Sequence, residues 1–368
     1  MFKIIKENEE ARTGTLKTAH GTLKTPFFMP VGTKANVKNL SPEELEQMGT
    51  ECLISNAFIL SLKPGTKLIQ DMGGIHKYMH WNKGIFTDSG GFQVLLPEFY
   101  INHTQEGVKF KDPINGKTSM FKPEDSIKAQ NELGSDVAMC LDHIPKPTDK
   151  KEAVKASMKQ THEWAQRCLK AHDNNKQLLF GIMQGGIYPD LRSESAKFMN
   201  ENEFDGISIG GLCIGENVKQ TYQMIKEAMK HLDKQKPKYV MGMGTPQEIL
   251  NSISMGADIF DSIFPAQNAC RGSIFTKDGT TRLDRSKCIK ENEPIEQDCD
   301  CYTCKNYTKS YVYFMLNAKE NYGLRLATIH NQHFIQNMIK QARKEISKGT
   351  FEDYRQDFLT RYLNKKEI

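Results

Sequence analysis

The stretch that decides the fold is "LLFGIMQGG", residues 178–186, which is followed by a helix-like segment and then by "GISIGG", residues 206–211. Each is a short apolar run ending in glycines, and the two are separated by enough chain for one helix. Continuous apolar strands are what a parallel sheet buried on both faces requires. The same unit recurs along the chain: "PFFMPVG" from Pro26, "CLISNA" from Cys52, "IFTDSG" from Ile85, "DVAMCLD" from Asp136, "YVMGMG" from Tyr239 and "DIFDSIF" from Asp258. Eight strands alternating with helical segments predict a (β/α)8 barrel, with a doubly wound open sheet as the alternative.

The connecting segments carry helix punctuation. In "SPEELEQMG" Ser41 is placed to cap, Pro42 occupies the first helical position, Glu44 completes a capping box and Gly49 terminates. "TPQEILNSISMG" repeats the scheme with Thr245, Pro246 and Gly256. Between the third and fourth strands lies "VKFKDPINGKTSMF", whose Asn115-Gly116 turn predicts a β-hairpin insert. After the eighth strand come the basic stretch "RGSIFTKDGTTRLDRSK", a cysteine cluster and a predicted helix, read together as a C-terminal appendage.

Composition agrees with a globular chain. Of 368 residues, 38% are hydrophobic and 26% charged, which excludes disorder as the expected state. No apolar run approaches the ~18 residues of a membrane span, and the N-terminus is too polar for a secretion signal, so a cytoplasmic protein is expected. Net charge is +5, which permits a polyanionic partner without requiring one. Nine cysteines, six of them scattered singly, argue for reduced thiols.

In a barrel, residues that end the strands line one mouth, where such enzymes keep their active sites. Here they are Asn56, Asp88, Asp142, Gln184, Gly211 and Met241, with Asp261 inside the eighth run. Ser89, Gly90 and Gly91 follow Asp88 and allow close backbone approach by a ligand. Separately, Cys299, Cys301 and Cys304 form C-x-C-x2-C, a soft ligand set whose fourth member is His330 or His333 of "IHNQHF". Four ligands close a tetrahedral site, so a metal there is expected to be structural.

Taken together, "TDSGGFQV", "FGIMQGG", "IGGLCIGE", "MGMGTP", "FDSIFP", and "CDCYTC" followed by "IHNQHF" closely resemble, in this order, bacterial tRNA-guanine transglycosylase. The resemblance runs from about Gly14 to the C-terminal helix. It implies one domain over 1–368, with a barrel about 20–270 and a zinc-binding subdomain about 285–360. It also implies exchange of guanine at the anticodon wobble position of tRNA for a 7-deazaguanine base, and a homodimer.

The resemblance gives the strand-end residues roles. Asp261 matches the nucleophile that attacks ribose C1′, and Asp88 the proton donor and acceptor. Asp142 matches the acceptor for guanine N1–H and the 2-amino group, Gln184 and the Gly211 N–H the donors to O6, and Phe92 and Met241 the walls that sandwich the base. Ser89, Gly90, Gly91 and Leu212 complete the substrate-binding set. The RNA-binding set is Gly242, Met243, Gly244, Thr245, Pro246, Gln247 and Glu248, then Ala266, Gln267, Asn268, Ala269, Cys270 and Arg271. Of the two histidines, the family pattern selects His330 as the fourth zinc ligand.

The sequence departs from the family in two places. Gln267 and Cys270 stand where the family usually has arginines that help read the bases flanking the target guanine, so a less stringent or different loop preference is expected. Ile144 and Ile214 occupy positions that size the pocket, and two β-branched side chains favour preQ1 over the bulkier queuine. Rival expectations are an archaeosine-type enzyme using preQ0 in the D-loop, a non-catalytic RNA-binding partner subunit, and a hydrolase with catalytic zinc.

Overall fold

The computed structural model describes residues 1–364. All eight predicted strands are present: β1 (Phe27–Pro30), β2 (Cys52–Asn56), β3 (Gly84–Asp88), β4 (Val137–Met139), β5 (Leu178–Met183), β6 (Gly206–Ile209), β7 (Lys238–Val240) and β8 (Ile259–Ser262). Each pairs in parallel with its sequence neighbour from β2 to β8, and β8 pairs with β1. A parallel bridge, Val31 to Ile54, joins β1 to β2 and closes the barrel. The open doubly wound alternative is thereby removed.

The strands are mostly apolar because both faces are buried, and the period of two divides their apolar residues between interior and helices. Phe27, Met29, Cys52, Ile54, Phe86, Val137, Met139, Phe180, Ile182, Tyr239 and Ile259 fill the interior. Their neighbours Phe28, Ala138, Leu179, Met183 and Phe260 point outward to the helices. Phe86 sits at the centre, edge-on to Phe180 and Tyr239 with ring centroids 5.4 and 6.1 Å away.

Both predicted capping boxes form: Ser41 with Glu44, and Thr245 with Glu248, each followed by proline at the start of its helix. The insert between β3 and β4 is a three-stranded antiparallel sheet, Tyr100–His103, Val108–Lys111 and Thr118–Phe121. Its predicted hairpin is there, with residues 112–117 forming the loop between Lys111 and Thr118.

Three features were not anticipated. An antiparallel sheet, Phe2–Asn8, Ala11–Thr18 and Gly21–Thr25, precedes β1 and contributes Leu16 and Leu23 to the interior cluster. Beneath the barrel, the buried Asp136 accepts from the amides of Ile85 and His20 and from the stacked rings of His20 and His76. Burial opposes its charge, but the bonds from His76, Ile85 and His20 hold its pKa at about 2. Finally, the C-terminal segment is more than an appendage. Its long helix, Asn321–Lys348, shares a core with Phe28 of β1 and Phe260 of β8 through Phe334, Ile335, Met338 and Ile339, and so walls the barrel where an eighth helix belongs. Gln336 donates to the Phe28 carbonyl and Asn331 to those of Pro265 and Ser273.

Candidate active site

At the C-terminal ends of the strands lies a cavity of about 290 Å³, lined by Asn56, Asp88, Phe92, Asp142, Gly211, Leu212, Met241 and Asp261 among others. Three carboxylates therefore share one cavity, with no basic side chain in its wall among the described residues. Register builds it: Asn56 pairs with Asp88 across β2 and β3, and the Asn56 Nδ2 donates to Asp88 Oδ2 at 2.9 Å. Burial, followed by the charges of Asp142 and Asp261, raises the Asp88 pKa to about 7. Near neutrality this carboxyl is divided between its two protonation states, the condition a group needs to give and take a proton.

Asp261 is held differently. Its Oδ1 accepts from the Tyr239 hydroxyl at 2.6 Å and from the Gly242 amide at 2.8 Å, while Oδ2 has no protein donor among the described residues. Burial raises its pKa, and the two donors oppose that shift. One oxygen is anchored and the other is free to react. Asp142 is pushed by burial to about 6, against a 2.6 Å bond from Gln184 Nε2.

The small residues in these motifs are required by close approach. A Cβ on Gly90 would lie 2.2 Å from Phe58 Cβ, and one on Gly91 would lie 2.6 Å from Asp142 Oδ1. Ser89 is fully buried behind the cavity. Phe92 is 49% exposed over its mouth, and Met241 rests on the barrel interior. Gln184 is not in the cavity wall: it lies completely buried under Gly211, and its Oε1 has no hydrogen-bond partner among the described residues. Sequence reasoning missed Tyr239, whose only signal is a hydroxyl between Lys238 and Val240 of a short buried strand.

The residues expected at RNA divide into two groups. Gly242, Gln267 and Arg271 are exposed, and Gln247, Glu248, Thr245, Ala266, Asn268 and Cys270 are partly so, whereas Met243, Gly244, Pro246 and Ala269 are buried. Thr245 and Glu248 are engaged in their own capping box, and Cys270 Sγ accepts from Asn39 Nδ2 at 3.4 Å. Of the basic residues after β8, Lys277 pairs with Asp298 and Arg282 with Asp284. Arg271, Arg285 and Lys287 make no ion pair among the described residues.

Away from the mouth, Cys299, Cys301, Cys304 and His330 converge, their ligand atoms all within 4.8 Å of one another. The sulfurs lie 3.7, 3.6 and 3.3 Å from His330 Nδ1. Tetrahedral zinc bond lengths would give about 3.6 Å. His330 Nε2 donates to the Phe275 carbonyl at 2.8 Å, which orients the ring with Nδ1 aimed at the sulfurs. His333 instead bonds Asp300 at 2.6 Å. The structure thus settles which histidine completes a metal-holding set, and the set has no open position for a hydrolytic water. Among the described residues no helix is long and apolar enough to cross a membrane.

The family model described as queuine tRNA-ribosyltransferase matches residues 7–364. The chain is 44% identical over 362 residues to the queuine tRNA-ribosyltransferase of Francisella tularensis subsp. novicida (strain U112), covering 98% of both chains. It is equally similar to that of subsp. tularensis (strain WY96-3418), and 43% identical to that of subsp. holarctica (strain OSU18). With the barrel, the three carboxylates and the Cys3His set in place, these matches establish that the chain belongs to the queuine tRNA-ribosyltransferase family.

Proposed function

We propose that this enzyme is a tRNA-guanine transglycosylase that replaces guanine at the anticodon wobble position by double displacement. The observation that carries the reading is the division of labour between Asp261, with one oxygen anchored and one free, and Asp88, poised near pH 7. Asp261 Oδ2 bonds to C1′ as the C1′–N9 bond breaks, and Asp88 supplies the proton that departing guanine takes up. The incoming base then gives a proton back to Asp88 while its N9 displaces Asp261. Two inversions retain the β configuration. Asp142 faces the N1–H and 2-amino donors of the base. Such a reaction needs an unstacked nucleotide, which an anticodon loop supplies.

The base favoured is preQ1. Ile144 and Ile214 line the cavity and limit its size. The Cys213 N–H donates to Glu216, which lies outside the cavity wall. Peptide planarity then turns the Leu212 carbonyl to the cavity side, where it can accept from an aminomethyl group. With Gln267 exposed and Cys270 tied to Asn39, charged reading of the flanking bases from these two positions is lost, and the preference for those bases is relaxed or altered. Activity on anticodon stem-loops mutated beside the target guanine checks this, an undiminished requirement refuting it.

The metal is zinc, one per chain, held by Cys299, Cys301, Cys304 and His330. Bound there it supplies cross-linking, not catalysis, and ties the segment 285–360 to the barrel so that 1–368 acts as one domain. Next to it Tyr302, Tyr311 and Phe314 are exposed, with Tyr307 stacked on Tyr311. This aromatic face is the contact of a homodimer, checked by sedimentation of wild-type and Phe314→Glu protein. The function itself is tested by incubation with tRNA and radiolabelled guanine. Incorporation by the wild-type chain is expected, and none into any tRNA would overturn the reading.

A further inference from the structure

Arg192 lies in the helix Pro189–Asn200, behind the cavity, and is completely buried. Its guanidinium makes no ion pair among the described residues. It donates instead to three carbonyls of two glycine loops: Nε to Gly186 at 2.8 Å, Nη1 to Gly210 at 2.7 Å and Nη2 to Gly211 at 3.2 Å. Burial lowers its pKa to about 10, so it keeps its charge at neutral pH. The nearby charge of Glu216 partly offsets the cost of burying this cation, whose hydrogen bonds all go to backbone at the ends of β5 and β6.

A trans peptide points its C=O and N–H in opposite directions. With the Gly210 and Gly211 carbonyls turned back to Arg192, the Gly211 and Leu212 N–H groups are turned toward the cavity that these residues line. Neither N–H donates to a protein group among the described residues. Gly211 adopts φ +63°, and a Cβ there would meet Gln184 Oε1 at 2.1 Å, so only glycine fits this turn over Gln184. Because Gln184 Nε2 is committed to Asp142, donation to a ligand falls to this backbone.

We propose that Arg192 is a positioning residue of the base pocket, holding the 210–211 and 211–212 peptide planes so that their N–H groups meet O6 of the purine. The proposal rests on the base-exchange reading and deepens it. As C1′–N9 breaks, the bonding pair passes to guanine and O6 gains negative character. Preorganised N–H donors, polarised from behind by a guanidinium, stabilise that charge.

The test is guanine exchange by Arg192→Gln, Arg192→Lys and Arg192→Gly, with folding followed by circular dichroism. Arg192→Gln should raise KM for guanine and lower kcat, each by roughly tenfold to a hundredfold, while KM for tRNA stays within twofold. Arg192→Lys should fall between it and the wild type, and it decides the matter if the glutamine variant does not fold. Added guanidinium ion at non-denaturing concentration should partly restore Arg192→Gly. A folded variant with unchanged guanine KM, or equal losses for guanine and tRNA without rescue, would sink the inference alone. A wild-type chain that exchanges no guanine would remove the functional reading and this inference with it.

Discussion

Two polar clusters lie at opposite extremes of satisfaction. At the barrel mouth Asp88, Asp142 and Asp261 crowd into one cavity, their pKa values raised by burial, and one oxygen of Asp261 has no donor among the described residues. In the C-terminal segment the three sulfurs and His330 face one another, and the second ring nitrogen of His330 is bonded to Phe275. The first cluster stores electrostatic tension that chemistry can use. The second is closed and leaves nothing to react. Deleting a member of the mouth should therefore remove activity and spare the fold, whereas emptying the metal set should loosen the fold first and lower activity only through that loss.

The largest effect expected is that of Asp261→Asn, which should lower guanine exchange by about 10⁴-fold or more while melting remains near that of the wild type. A variant retaining a tenth of the activity would erase the contrast. Next is metal removal. Chelation or Cys304→Ser should lower the melting temperature by about 10 °C or more, since the binding free energy of a structural ion is folding free energy. Calorimetry with a metal assay checks this, and unchanged melting after complete removal would contradict it.

The third prediction concerns pH. Asp88 has a folded pKa of about 7 against an ordinary value of 3.8, so its neutral form is favoured by folding. That contribution is complete below about pH 4 and is lost as pH rises through 7. Asp88→Asn should therefore be inactive yet more stable than the wild type at pH 8, on the order of 1 to 2 kcal/mol after screening by cavity water, with little difference at pH 4. Equal stability at both pH values would show that the mouth is not under tension. The smallest effect is Ile214→Gly, which should shift the preQ1 to queuine preference toward queuine by roughly tenfold, read from competition kinetics.

Much of this architecture is legible in the chain because it rests on local signals. The eight apolar runs, the capping boxes at Ser41 and Thr245, and the C-x-C-x2-C spacing each carry their physics within a few residues. The mouth was legible only as strand ends. What sequence did not disclose depends on long-range contact. Tyr239 reaches Asp261 across neighbouring strands, and Arg192 spans two loops from a helix whose surface pattern looks ordinary. Spacing alone left His330 and His333 open; the family resemblance selected His330, and the bonds to Phe275 and Asp300 agree with that selection. The long helix could be read as helix, but its role as barrel wall required the positions of Phe28 and Phe260.

The central claim is a covalent bond between Asp261 and the tRNA ribose. Mixing enzyme with tRNA in the absence of an incoming base and resolving the products on a denaturing gel, followed by mass spectrometry of the shifted band, tests it most directly. The account predicts a tRNA-linked protein with the adduct mapped to Asp261, discharged by added guanine and absent from Asp261→Asn. An active enzyme that yields no adduct, or whose adduct maps to another residue, would contradict it.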